Sequence, residues 1–165
     1  MVENADVIKN MNIAHIKKRL HHRSPYLLLD QVSEHSSETL TAHFTPGSEH
    51  FFMEGHFPGM PVVPGAMMQE MTTQAAGLLI AEYYSPTPDY NSEINKGHAL
   101  GVLRSVQYAK FKSFARPGDE MVIKVSLLET SENLFRFKAL IEVEGKKIMA
   151  NEFTLVNISD EKLRG

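Results

Sequence analysis

No cysteine occurs among the 165 residues, which excludes disulfides, thiolate metal ligands and a cysteine nucleophile, and fits a reducing compartment. An excess of either charge is also missing: 17 Lys and Arg against 20 Asp and Glu leave a net charge of -3. No global basic field therefore draws the chain to nucleic acid or to an anionic membrane, and an acidic partner has to be met by a local patch. The opening "MVENADVIKNMN" lacks the apolar core and small-residue end of a secretion signal. The expectation is a cytoplasmic protein with neither nucleic acid nor membrane as partner. His21, His22, His35, His43, His50 and His98 show no spacing of the H-E-x-x-H kind, so no metal site is expected and these six read as ordinary residues. The length suits one domain with a proper core, spanning 1–165.

Apolar residues Ile8, Met11, Ile13, Ile16 and Leu20 recur at spacings near three and four and predict an amphipathic helix over about 8–20. "YLLLDQV", Tyr26 to Val32, reads as a largely buried strand and "TLTAHFT", Thr39 to Thr45, as a second. The stretch from Gly65 to Tyr84 has no proline, and Pro86 lies just past it, so a helix over about 65–84 is predicted. Its apolar residues spread around most of the circumference, which implies burial on most sides. Gln69, Glu70, Thr72, Thr73 and Gln74 argue against a membrane span. After a polar loop, Ser85 to His98, come four segments of strand character: 100–112, 121–129, 135–144 and 147–156. In the third, Phe135, Phe137, Ala139, Ile141 and Val143 alternate with charged residues. The order implies an α+β domain, an antiparallel sheet curled around one apolar helix.

Between the second strand and that helix lies "GHFPGMPVVPG", residues 55–65, three glycines and three prolines around one histidine, His56. Fixed proline φ angles and permissive glycines define a backbone shape, and loops so built present side chains to sites. A helix starting at Gly65 or Ala66 directs free N–H groups and its positive end at whatever the loop holds. Glu70 follows on a helix poor in charge, where a carboxyl tends toward a raised pKa. A base, an electrophilic backbone and an acid are thus brought into one segment.

Residues 55–77, "GHFPGMPVVPGAMMQEMTTQAAG", resemble the signature of the 3-hydroxyacyl-(acyl-carrier-protein) dehydratases, the FabZ type of the FabA/FabZ group. His56 and Glu70 match the family's histidine and glutamate. "LHHRSPYLLLDQV", Leu20 to Val32, and "KFKSFARPGDEMVI", Lys110 to Ile123, are similar to two further segments of that family, in the same order. His21 stands where the family usually has proline, Ala66 and Gln69 replace commoner aliphatics, and the 85–98 connection is longer. FabA relatives, which also isomerise the double bond, have aspartate at the position of Glu70, so dehydration alone is the closer match.

The resemblance implies the hot-dog fold and a homodimer with composite sites, extendable to a trimer of dimers. It implies dehydration of a 3-hydroxyacyl thioester to the trans-2-enoyl product, in fatty-acid synthesis or a related polyketide or aryl-polyene route. His56 would be the base and Glu70 the acid, with the N–H groups about Gly65 and Ala66 for the thioester oxygen. Met67, Met68, Met71 and Phe57 would line the acyl tunnel. No metal or redox cofactor is implied; the substrate carries its own 4'-phosphopantetheine thioester. The partner is the acyl carrier protein, docked by Lys110, Lys112 and Arg116, with Phe111 turned to the core by the strand's period. Gln74 reads as a cap for a buried polar contact and Arg23 as a loop anchor. Two alternatives stand beside this reading: a hot-dog acyl thioesterase, and a non-catalytic module that binds acyl carriers.

Overall fold

A computed structural model describes residues 8–95 and 98–164. The start of the amino-terminal segment read for a signal, 1–7, and residues 96–97 of the polar loop lie outside them. In chain order the elements are β1 (Ile8–Met11), α1 (Ile13–Arg19), β2 (Gln31–His35), β3 (Thr39–Phe44) and α2 (Gly65–Tyr83). There follow β4 (His98–Phe111), β5 (Met121–Ser131), β6 (Leu134–Val143), β7 (Lys146–Ser159) and α3 (Asp160–Arg164). Seven strands form one sheet in the order β1-β2-β3-β5-β6-β7-β4, antiparallel at each junction.

The sheet wraps α2 as the hot-dog expectation requires. Every residue from Met71 to Ala81 is buried, so all faces of the helix are covered. Leu78, Leu79 and Ile80 are sealed completely, each stabilising the fold by roughly 1.5–3 kcal/mol relative to exposure. From the sheet, Phe135, Phe137, Ala139 and Ile141 point inward as their alternation predicts, and Phe137 stacks on its register partner Phe153. Helix and outer strand touch backbone to backbone at Gly77 and Gly101. A Cβ on Gly101 would stand 2.8 Å from Gly77 Cα, and its φ of +76° is one that only glycine takes freely.

Two elements differ from expectation. The first turn of the predicted helix is strand β1, paired with β2. Asn10 takes φ +70°, and Asn12 caps α1 by accepting the His15 N–H at 3.0 Å, so the helix starts only at Ile13. The predicted strand 26–32 is regular only from Gln31. Leu28 and Leu29 are buried as expected, but Leu28 N–H donates to Gln74 Oε1 at 2.8 Å, a helix side chain in place of a strand neighbour.

β4 is an edge strand whose residues from Leu103 to Phe111 are all exposed. Phe111 is therefore not a core residue: it is 51% exposed, because no element among the described residues covers that edge. No helix among the described residues is long and apolar enough to cross a membrane.

Candidate active site

The segment 53–63 folds into a hook that presents His56. Its N–H donates to Met53 O at 3.1 Å and its carbonyl accepts from Val62 N–H at 2.9 Å. Phe57 and Met60 exchange two backbone bonds across a turn closed by Gly59, φ +74°. Val63 N–H then ties the hook to Ala115 O at 2.8 Å. His56 Nδ1 lies 3.0 Å from Val62 O. A carbonyl only accepts, so Nδ1 carries a proton, and in the neutral ring the basic nitrogen is Nε2. Phe57 stacks on the imidazole with ring centres 4.3 Å apart.

Immediately after the hook, α2 begins without a side-chain cap, since its N-cap is Pro64. Met67 and Met68 N–H both turn back to Pro64 O, at 3.0 and 3.2 Å, and the N–H groups of Gly65 and Ala66 have no acceptor among the described residues. A Cβ on Gly65 would stand 3.0 Å from the Phe111 ring, so any larger residue there requires that half-exposed ring to move. The result is a cavity of about 400 Å³ whose walls include His56, Phe57, Gly65, Met68, Phe111 and Lys112.

Glu70 stands farther along α2, and it opens into a different cavity of about 540 Å³, shared with His22, Thr73, Ser92, His98 and Leu100. Burial pushes its carboxyl above the usual range, and a hydrogen bond from Gln74 Nε2, 2.9 Å from Oε1, pulls part of the way back. Gln74 is fully buried and cannot turn: its Oε1 takes the Leu28 N–H and its Nε2 also donates to Tyr26 O at 2.8 Å. The cap read from sequence is there, and it also fixes the acid.

The tunnel and docking expectations divide. Phe57 and Met68 reach the His56 cavity, while Met67, partly buried, and Met71, fully buried, line neither cavity. Lys112 is on the rim of the His56 cavity, Lys110 Nζ lies 5.6 Å from the Tyr108 ring centre, and Arg116 is exposed beyond β4. Arg23 anchors its loop through Leu20 O, His22 O and Ser92 Oγ. Sequence reasoning missed His22, whose Nε2 is 3.6 Å from Glu70 Oε1. Lacking metal-type spacing it looked ordinary, and the only signal was its place in the "HHRSP" segment. Among the described residues no group of three or more His, Cys, Asp or Glu is placed to hold a metal ion.

Fold and site together define a hot-dog chain with a buried carboxyl on its central helix and an imidazole on the loop before it. Residues 20–152 match the family model described as a FabA-like domain, and the chain belongs to that family. It is 32% identical over 148 residues to the 3-hydroxyacyl-(acyl-carrier-protein) dehydratase FabZ of Petrotoga mobilis, covering 90% of this chain and 98% of that one. With the protein of the same name from Verminephrobacter eiseniae it shares 36% over 135 residues, 81% of this chain and 85% of the other. Among solved structures, the dehydratase heterocomplex ApeI:P of Xenorhabdus doucetiae superposes with a TM-score of 0.74 at 20% identity, covering 90% and 94% of the two chains. The fluoroacetyl-CoA thioesterase FlK superposes at 0.60 with 15% identity over 77% and 90%. The fold is thus common to dehydratases and thioesterases, and the side chains have to separate them.

Proposed function

We propose that this protein is a 3-hydroxyacyl-acyl-carrier-protein dehydratase, a hydro-lyase of fatty-acid or related acyl-chain synthesis in the cytoplasm. The observation that carries the reading is His56. In the neutral ring its Nε2 is the basic nitrogen, its Nδ1 is locked on Val62 O, and the uncapped N–H groups of Gly65 and Ala66 begin the helix beside it. In the reaction Nε2 takes the C2 proton of the thioester. The pair from the C–H bond forms C2=C3 by way of an enolate whose oxygen the two N–H groups stabilise. The C3–O bond breaks as Glu70 gives its proton to the leaving hydroxyl, and water departs. Burial keeps that proton available. The thioester itself acidifies C2, so the chemistry requires no metal or redox group, and the substrate supplies the phosphopantetheine.

His56 and Glu70 open into different cavities, and the active unit is a homodimer with composite sites. Both cavities border β4: Ala99 to Leu103 line the Glu70 cavity, and Phe111 and Lys112 the His56 cavity. Edge strands offer unpaired backbone groups to a second copy. Antiparallel pairing of two β4 strands about a two-fold axis sets the start of one strand beside the end of the other. Glu70 of one copy then comes beside His56 of its mate. The exposed Leu103, Val106, Tyr108 and Phe111 are the apolar residues such pairing covers.

Mass analysis after incubation with a 3-hydroxyacyl carrier protein tests the reading. An enoyl carrier lighter by one water supports it. A free acid would mean a thioesterase, and a retained but unaltered carrier a binding module.

A further inference from the structure

Resting on the dehydratase reading of Glu70, a finer question concerns which carboxyl oxygen holds the proton. Gln74 Nε2–H donates to Oε1, and the amide cannot flip because its own oxygen is taken by Leu28 N–H. Oε1 is thus already an acceptor. His22 Nε2 faces the same oxygen at 3.6 Å, too far for a formed hydrogen bond but close enough to become one with a small movement. The other ring nitrogen, Nδ1, is buried without a hydrogen-bond partner among the described residues. A buried N–H left without an acceptor is rarer than a bare acceptor, so the ring proton belongs on Nε2, directed at Glu70. The ring is held by stacking on Tyr26 at 6.2 Å, and Tyr26 in turn stacks on Phe51 at 6.1 Å.

We propose that His22 is a positioning residue for the catalytic acid: with Gln74 it addresses Oε1, reserves Oε2 for the transferable proton, and closes on the carboxylate once that proton has gone. A hydrogen bond to an ionised acceptor is stronger than one to a neutral acceptor. The His22 contact thus favours the state of Glu70 that follows proton donation. Tyr26 and His22 face Glu70 from the segment after α1, and Gln74 from its own helix. His21 and Arg23 flank His22, and Arg19 and His98 border the same cavity. Burial above all, then the charges of His21 and Arg23, holds His22 below the ordinary histidine value. The donor is therefore a neutral imidazole at neutral pH.

The test compares His22→Phe, which keeps the ring and removes the donor, with His22→Gln, which restores one; His22→Met serves if the Phe variant does not fold. The Glu70 carboxyl is followed by NMR on protein labelled at glutamate, with Glu70→Gln to assign the signal, alongside the pH profile of kcat/KM. Loss of the donor is expected to move the Glu70 titration and the alkaline limb upward and to lower kcat about tenfold with KM little changed, the weight of one ordinary hydrogen bond. His22→Gln is expected to bring both back toward wild type. A Glu70 titration unmoved in the donor-free variant would overturn the proposal, as would equal losses in the Phe and Gln variants with the limb in place. The NMR measurement decides even if the wild-type protein dehydrates no 3-hydroxyacyl carrier, an outcome that would instead refute the dehydratase reading.

Discussion

His56 and Glu70 are fourteen residues apart on one loop and helix, yet they open into separate cavities of the same subunit. The separation is consistent with a base and an acid that meet only across two copies. His56→Ala and Glu70→Gln are each expected to be nearly inactive. A mixed dimer retains one site with both native groups, so mixing and re-equilibrating the two proteins should restore part of the activity. If subunit exchange is demonstrated and activity stays absent, each site is complete within one subunit.

Glu70 carries opposite consequences for turnover and stability. Its folded-state pKa is raised above the ordinary glutamate value, chiefly by burial, so the folded state holds the proton more tightly than the unfolded one. That contribution is fully present below the unfolded value and is lost as pH rises through the folded value. At neutral pH keeping this carboxyl in the fold is therefore a cost relative to the unfolded chain, and Glu70→Gln, which still accepts from Gln74, is expected to melt higher than wild type at pH 7. The difference should vanish toward pH 4. Turnover is expected to fall at least about 100-fold, the usual weight of a general acid. Equal melting temperatures at both pH values would show that burial places no strain on this carboxyl.

What the sequence disclosed followed from how local each feature is. Alternation over 135–143 named the inward face of β6, and the proline-free run bounded by Pro64 and Pro86 set α2 to within a residue. These patterns arise within one element. β1 was hidden because Ile8 and Met11 fit helical spacing equally well, and only pairing with β2 and the cap at Asn12 decide between the two. Phe111 was misplaced because alternation assumes that one face of a strand is covered, and β4 lies at an edge. His56, Glu70 and Gly65 were legible as one motif. His22 was not, because its meaning lies in a contact across 48 residues of chain with Glu70.

A polar bridge inside the core provides a test of packing. Asn151 on β7 is fully buried, and its Nδ2 donates to Gln69 Oε1 and to Thr72 Oγ1, both at 2.8 Å, tying the sheet to α2. Its Oδ1 has no hydrogen-bond partner among the described residues. Asn151→Leu leaves two acceptors on the helix without their donor and is expected to cost about 1–3 kcal/mol in denaturant unfolding. Adding Gln69→Leu and Thr72→Val removes those acceptors and should recover most of the loss, since replacing a whole buried network is far less harmful than breaking it. Additive losses across the three changes would mean that the residues pack independently.

Docking of the carrier protein calls for positive charge beside the His56 cavity, since the enzyme as a whole carries net charge -3. Lys112 is on the rim of that cavity just past β4, Lys110 lies two residues back near the end of β4 over Tyr108, and Arg116 is exposed just beyond. Exposed charges of this kind govern encounter with a charged partner and are screened by salt. Lys110→Glu with Arg116→Glu is expected to raise the apparent KM for a carrier-bound substrate by roughly 3- to 10-fold and to flatten its salt dependence. A soluble pantetheine thioester should be turned over as before. Lys112→Glu belongs in a separate variant, because a side chain lining the cavity is expected to affect both substrates. If the double variant loses activity equally on the two substrates, Lys110 and Arg116 support the strand or its pairing. Lys17 and Lys18 on α1 would then be the basic residues to test, since Arg19 beside them is bound to Glu82 and to Tyr90 O.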